Sequence, residues 1–207
     1  MKTEGLSEAE LDARHADKMR KKKEARAKIL ATKTVEKGLL MVHTGKGKGK
    51  STAAFGVVFR ALGNGMKVGI VQFVKGRWET GERVALDKFG DQVTINTMGE
   101  GFTWETQDRQ RDIAAAKAAW EKAKALIADD EHQLVVLDEL NIVLRYEYLD
   151  LAEVLPVLAN RPPMKHVIVT GRNARDELIE IADLVTEMEQ VKHPFRSGVK
   201  AQKGIEF

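Results

Sequence analysis

The chain has 207 residues, with 34 Lys and Arg against 31 Asp and Glu, 43% hydrophobic residues and no cysteine. The missing cysteines exclude a disulfide framework, a thiolate nucleophile and a Cys-ligated zinc site. The apolar runs are too short to span a bilayer, and the N-terminus is charged where a signal peptide is apolar. We therefore expect a soluble, cytoplasmic protein with no membrane partner.

The net charge of +3 belongs to the N-terminal part of the chain. Residues 1–37 contain 11 Lys and Arg and 7 Asp and Glu, whereas residues 38–207 contain 23 and 24. A duplex-binding protein carries a basic face on its folded domain, so we expect no nucleic-acid partner. The composition predicts a basic N-terminal helical extension over residues 1–37 and an α/β domain over residues 38–207.

The extension is predicted to be helical from Ser7 to Lys33, because it is rich in Ala, Lys, Arg and Glu and contains no proline. Its apolar residues are too few for an independent amphipathic helix. Two interpretations stay open. The helix is either a solvated, frayed extension, or its basic run at residues 20–23 reaches an anionic ligand.

From Gly38 onward, short β-type runs alternate with helical stretches. The predicted strands cover residues 39–43, 67–74, 93–98, 134–139, 166–170 and 183–191, and the predicted helices cover residues 51–62, 107–128, 151–160 and 176–182. Strands that alternate with helices predict an α/β domain whose mostly parallel sheet is flanked by helices. The order of the strands is not predictable from the pattern.

A glycine-rich loop lies directly after the first strand and opens a helix. It reads Thr44-Gly45-Lys46-Gly47-Lys48-Gly49-Lys50-Ser51-Thr52. Backbone N–H groups of such a turn form a concave anion site at the helix N-terminus, and glycine permits close approach of a phosphate. Lys50 supplies a cation and Ser51 a hydroxyl for magnesium, as in a P-loop. Because the strict pattern requires glycine at Thr44, the loop is a shortened variant. We predict a nucleoside triphosphate as its ligand, against the alternative of a Lys/Gly-rich surface turn.

Asp138 and Glu139 follow the apolar run of the fourth predicted strand. Ligands of open α/β sheets bind outside the carboxyl ends of the strands, so this pair suits a Walker B position near the phosphates. We predict that one of the two binds the metal directly or through water, and the sequence does not say which. The alternative is a helix N-cap.

Two further loops also follow predicted strands. Phe102 and Trp104 lie in a Gly-flanked loop, where they either pack into the core or meet a flat apolar ligand. Arg172 follows Thr170 and Gly171 after the fifth strand and is expected near the phosphates. The histidines show no metal-ligand spacing.

Taken together, these motifs resemble those of the bacterial ATP:corrinoid adenosyltransferases of the cobalamin pathway. The resemblance spans nearly the whole chain and rests on the loop at residues 44–52, residues 72–76 with 81–83, and residues 101–104, 136–140, 170–172 and 198–206. It implies a single P-loop domain of RecA-like type. It also implies transfer of the 5′-deoxyadenosyl group of ATP to a reduced Co(I) corrinoid with release of triphosphate, and Mg²⁺ or Mn²⁺ as the cofactor.

The resemblance also implies roles for individual residues and for partners. Lys48, Lys50 and Arg172 neutralise the leaving triphosphate, and Phe102 and Trp104 form an apolar wedge that displaces the lower axial ligand of cobalt. The implied assembly is a homodimer in which the N-terminal helix covers a corrinoid site, with reduced flavodoxin as electron donor. The family commonly has Asn and Thr where this chain has Lys46 and Ser51.

Two rival functions fit the same loop and carboxylates. A RecA-like ATPase or a small kinase would break a phosphate–phosphate bond and release ADP. A nucleotide-gated binding module would carry a corrinoid without forming a cobalt–carbon bond.

Overall fold

The computed structural model describes residues 7–74, 80–97 and 108–206. The chain divides into two compact units, residues 1–36 and 37–207. In the first unit, α1 (Glu8–Ala31) begins at the N-cap Ser7, which forms a capping box with Glu10. The predicted helix is present and ends two residues before Lys33. Arg20 pairs with Asp17 and Glu24 on the same helix, at 2.6 and 3.0 Å, so part of the basic run already has acidic partners.

The second unit contains the sheet and its flanking helices. The strands are β1 (Leu40–Thr44), β2 (Lys67–Gln72), β3 (Val93–Thr97), β4 (His132–Asp138), β5 (His166–Thr170) and β6 (Leu184–Glu187). The α-helices are α2 (Lys50–Gly63), α3 (Gly81–Leu86), α4 (Arg109–Ala128), α5 (Leu140–Arg145), α6 (Leu151–Ala159) and α7 (Asp176–Ile181). Short 3₁₀ helices cover Asp87–Gln92 and Pro194–Ser197.

The six strands form one sheet in the order β3-β2-β4-β5-β1-β6, and all five pairings are parallel. This confirms the predicted α/β domain with a mostly parallel sheet flanked by helices and an N-terminal helical extension, and the RecA-like P-loop type stays a prediction. The strand order, which the sequence pattern did not predict, shows which strand ends are neighbours. Since β5 lies between β1 and β4, the carboxyl ends of these three strands meet at one edge of the sheet.

The core lies on both faces of the sheet. Helices α2 and α3 cover one face, where Phe55, Val58 and Leu86 pack against Ile70 and Val136. The other face is covered by α4 and α6, and it includes Trp120, whose side chain is fully buried. Burial on both faces accounts for the continuous apolar runs of the central strands. Among the described residues, no helix is long and apolar enough to cross a membrane.

The last strand differs from its prediction. β6 has four residues instead of the predicted span 183–191, because the chain leaves the sheet after Met188. The Met188 N–H still bonds the Thr44 carbonyl at 2.9 Å, and the chain then packs along the glycine-rich loop. The short helices α3 and α5 were also not predicted, since neither is long enough to show a helical period.

A cluster around Asp183 fixes the start of β1. Its carboxylate accepts hydrogen bonds from the Leu40 N–H at 2.8 Å and from Arg161 at 2.9 Å, and it pairs with Lys37. Arg161 also donates to the Gly38 carbonyl at 2.8 Å. Burial raises the pKa of Asp183, but the hydrogen bonds from Lys37 and Leu40 outweigh it, so the pKa lies below its ordinary value of 3.8.

Asp183→Asn is expected to lower the free energy of unfolding by about 1–2 kcal/mol at neutral pH, because a donor replaces a charged acceptor. A carboxylate with a lowered folded-state pKa stabilises the fold above its unfolded-state pKa and loses that contribution as the pH falls. The difference from wild type should therefore shrink below pH 3.8. Urea unfolding of both proteins at several pH values measures this difference in the free energy of unfolding. Asp87→Asn, which removes an exposed partner of Arg83, is the matched control and should change stability by less than about 1 kcal/mol.

Candidate functional site

The glycine-rich loop is held by the backbone that follows β6. The Gly47 N–H donates to the Met188 carbonyl at 2.6 Å. A Cβ atom added to Gly47 would lie 2.6 Å from the Glu189 carbonyl oxygen, and one added to Gly45 would lie 2.5 Å from the Met188 carbonyl oxygen. Gly45 also has a φ of 95°, which other residues rarely adopt. These two glycines are therefore required by backbone packing as well as by a ligand.

The loop ends at the start of α2. Gly49 is the N-cap residue, with a φ of 103°, and it has no side chain to bond the N–H groups of the first turn. Helix N-termini carry a partial positive charge and unpaired N–H groups. The end of α2 is therefore suited to bind an anion.

The Lys50 side chain lies inside this loop. Its Nζ donates to the Gly47 carbonyl at 2.5 Å, and the residue is only 7% exposed. Burial lowers the pKa of Lys50, and nearby Arg172 and Lys48 lower it further, while Glu139 acts in the opposite direction. An ammonium that is poorly solvated and bonded to one carbonyl gains strongly from a phosphate.

Asp138 is fixed by neutral hydrogen-bond donors at the end of β4. Thr170 Oγ1 donates to Asp138 Oδ1 at 2.8 Å, and Gln72 Nε2 donates to Oδ2 at 3.3 Å. The Glu139 N–H in turn donates to Thr170 Oγ1 at 2.9 Å. Residues at the ends of β2, β4 and β5 thus hold one carboxylate in place.

Glu139 is the less satisfied of the two carboxylates. Its φ is 62°, in the left-handed region, and its Oε2 is buried without a hydrogen-bond partner among the described residues. Burial raises its pKa to about 7, and Asp138 adds to this effect, whereas Lys50 and Arg172 act against it. A buried carboxylate oxygen without a partner is suited to accept a cation.

The residues present fit a magnesium ion. Ser51 and Glu139 line one cavity, and Asp138 precedes Glu139 in the chain and raises its pKa, so the cavity offers a hydroxyl and a carboxylate with a second carboxylate next to it. Within the described ranges there is no group of three or more His, Asp or Glu that could hold a metal. Mg²⁺ is typically bound by one or two carboxylates together with substrate phosphates and water, and this donor set agrees with that pattern.

The glycine-rich loop and Glu139 line one cavity of about 960 Å³, whereas Asp138 is not part of its lining. Its charged side chains are those of Lys48, Lys50, Glu82, Glu139, Arg145, Arg172 and Glu206. Its apolar wall is formed by Phe59, Val74, Ala85, Ile142, Tyr146 and Ile205. A cavity lined by both charged and apolar side chains suits a ligand with a charged and an uncharged part.

The structure brings most of the predicted site residues to this cavity. Those that line it are Gly47, Lys48, Gly49, Lys50, Ser51, Thr52, Glu139 and Arg172. Thr44 and Gly45 are buried behind the loop, where Thr44 Oγ1 accepts a hydrogen bond from the Ala174 N–H at 3.0 Å. Lys46 is exposed and is not part of the lining. Phe102 and Trp104 lie outside the described residues.

Two parts of the cavity were missed from the sequence. On α5 and just after it, the Arg145 guanidinium lies 5.6 Å from the centre of the Tyr146 ring, and no pattern in the sequence pointed to this pair. At the C-terminus, Glu206 pairs with Lys48. The C-terminal segment belongs to the motifs of the resemblance, but those motifs gave it no chemistry.

Gly47→Ala is expected to destabilise the protein by about 1–3 kcal/mol, because the added Cβ has no space against the Glu189 backbone. It should also weaken ATP binding. Thermal unfolding and calorimetric titration with ATP measure the two effects. Gly56→Ala in α2 is the matched control, since its Cβ meets nothing within 4 Å, and helix propensity predicts a gain of up to about 1 kcal/mol. Equal behaviour of the two variants would contradict the packing argument.

Glu139→Gln is expected to stabilise the metal-free protein above pH 7. A carboxyl group whose folded-state pKa is raised contributes its full stability below the unfolded-state value of 4.5, and this contribution is lost as the pH rises through about 7. The variant should therefore exceed wild type by on the order of 2 kcal/mol at high pH and match it near pH 4. Denaturant unfolding in the presence of a chelator checks this, with the exposed Glu121→Gln as control. A constant difference at all pH values would refute the titration of Glu139.

Comparison with known proteins identifies the family. A family model described as ATP:corrinoid adenosyltransferase BtuR/CobO/CobP matches residues 36–207, and a second, described as Cob(I)alamin adenosyltransferase N terminal, matches residues 2–30. A corrinoid adenosyltransferase of Sinorhizobium sp is 63% identical over 95% of this chain and 92% of its own length. A corrinoid adenosyltransferase of Pseudomonas aeruginosa is 57% identical over 96% of this chain and 98% of its own length. The solved structure of the RadB recombinase is 18% identical, with a TM-score of 0.43 over 76% of this chain and 77% of that chain. The chain belongs to the ATP:corrinoid adenosyltransferase family.

Proposed function

We propose that this enzyme transfers the 5′-deoxyadenosyl group of ATP to the cobalt of a reduced Co(I) corrinoid and releases triphosphate. The observation that carries the proposal is that the shortened P-loop, Glu139 and Arg172 line the same cavity as several apolar side chains. Family membership supports the same function. A corrinoid adenosyltransferase needs this combination, because it must hold a triphosphate beside the flat apolar face of a corrin ring.

In the transfer step, the electron pair of Co(I) attacks C5′ of ATP. The cobalt–carbon bond forms, the C5′–O bond breaks, and its electron pair leaves with the triphosphate. Co(I) is already a strong nucleophile, so no general base is required. None of the described residues lining the cavity is a histidine, which agrees with a reaction that moves no proton at the nucleophile.

The main task of the protein is then to stabilise the charge of the leaving triphosphate. The uncapped start of α2 and the ammonium of Lys50 lie within the loop, and Arg172 lines the same cavity close enough to Lys50 to lower its pKa. Preorganised donors of this kind act without reorganisation at the moment of reaction, and removal of one donor typically lowers kcat about 10²- to 10³-fold. Lys50 would exchange the Gly47 carbonyl for a phosphate oxygen.

We assign the metal position to Ser51, Asp138 and Glu139. A bound Mg²⁺ or Mn²⁺ would supply further positive charge to the phosphates. Both oxygens of Asp138 already accept hydrogen bonds, whereas Glu139 Oε2 has no partner among the described residues. This contrast supports direct coordination by Glu139 and a water-mediated contact to Asp138.

The remaining parts of the proposal rest on family likeness. Phe102 and Trp104 act as the apolar wedge that excludes the lower axial ligand of cobalt. The working assembly is a cytoplasmic homodimer in which the N-terminal helix covers a corrinoid site, and the electron donor is reduced flavodoxin. These assignments stay predictions, and so does the boundary that starts the α/β domain at residue 38.

Lys50→Met should lower the rate of triphosphate release about 10²- to 10³-fold, because the cation inside the loop is lost. The assay combines protein, Mg-ATP and chemically reduced cob(I)alamin under anaerobic conditions and quantifies triphosphate and ADP. Lys122→Met, on the exposed face of α4, is the matched control and should retain the wild-type rate. ADP as the product of the wild-type enzyme would return the protein to the ATPase or kinase alternative, and equal rates for both variants would exclude Lys50 from the phosphate site.

A further inference from the structure

The C-terminal segment of the chain forms part of the nucleotide cavity. Residues 204–206 line the cavity together with the glycine-rich loop. The segment is folded as a tight turn, in which the Ile205 and Glu206 N–H groups donate to the Gln202 carbonyl at 3.1 and 2.8 Å. This turn directs the Glu206 side chain toward the loop, where its carboxylate pairs with the ammonium of Lys48.

Glu206 thereby places an anion in the cavity. The Glu206 side chain is only 17% exposed, whereas that of Lys48 is 53% exposed. The other cations at this end of the cavity are Lys50, which bonds the Gly47 carbonyl, and Arg172. The carboxylate of Glu206 is therefore paired with a cation that a bound triphosphate would otherwise contact.

We propose that Glu206 is an internal competitor of the triphosphate for Lys48. Lys48, which is paired with Glu206, exchanges this carboxylate for phosphate oxygens when the triphosphate binds. After transfer, Glu206 recaptures Lys48 and promotes release of the product triphosphate. The role in release rests on the proposed function, whereas the competition for Lys48 does not.

The exchange is energetically feasible because the existing pair is weak. Ion pairs with a well-exposed partner contribute little to stability, so Lys48 can leave Glu206 at small cost. Hydrogen bonds from an ammonium to phosphate are among the strong ones, and a triphosphate offers several oxygens.

The decisive experiment is a calorimetric titration of the full chain with inorganic triphosphate in the presence of Mg²⁺. Glu206→Gln is expected to bind triphosphate about three- to fivefold more tightly than wild type, because the competing charge is absent. Its dissociation rate, measured by stopped-flow displacement, should fall by a similar factor. Glu131→Gln, which removes the exposed partner of Lys67 at the other end of the sheet, is the matched control and should bind like wild type.

A second pair of variants separates competition from a change in folding. In a Lys48→Met background, Glu206→Gln should no longer tighten triphosphate binding by the same factor, and Glu206→Asp should remain close to wild type. Weaker or unchanged binding by Glu206→Gln, or an equal gain in the Lys48→Met background, would overturn the proposal. Because the titration contains no corrinoid, a failure of adenosyl transfer would leave this result unaffected and would count only against the proposed function.

Discussion

The rest of the site depends on the close packing of the glycine-rich loop against the backbone after β6. The Gly47 N–H bonds the Met188 carbonyl at 2.6 Å, and Gly45 and Gly47 leave no room for a Cβ atom. This contact ties the loop after β1 to the edge strand of the sheet. It fixes the carbonyl that holds Lys50 and the point at which α2 begins, and therefore sets the position of the anion site.

The charged side chains of the site also shift one another's pKa values. Glu139 has a raised pKa because it is buried beside Asp138, and Lys50 has a lowered pKa because it is buried near Arg172 and Lys48. Glu139 Oε2 has no hydrogen-bond partner among the described residues, and Lys50 bonds only the neutral Gly47 carbonyl. Phosphates and a cation would compensate these poorly solvated charges at the same edge of the sheet.

The sequence was most informative where one short segment carries both the element and its chemistry. The loop around Lys50 lies between a strand and a helix, and Asp138 ends an apolar run, so both were predicted to lie at strand ends. Contacts between distant segments were not predictable. Neither the bond from Gly47 to Met188 nor the pairing of Lys48 with Glu206 leaves a pattern in the sequence, because each depends on the strand order and on the path of the chain after β6.

The central claim is that C5′ of ATP becomes bonded to cobalt and that all three phosphates leave together. The most direct measurement is a single turnover with ATP carrying ¹³C at C5′, followed by ¹³C nuclear magnetic resonance of the corrinoid fraction and ³¹P resonance of the phosphate fraction. We predict that the label moves to a cobalt-bound carbon and that free triphosphate is the only new phosphate compound. Retention of the label in ADP, with inorganic phosphate as the second product, would contradict it.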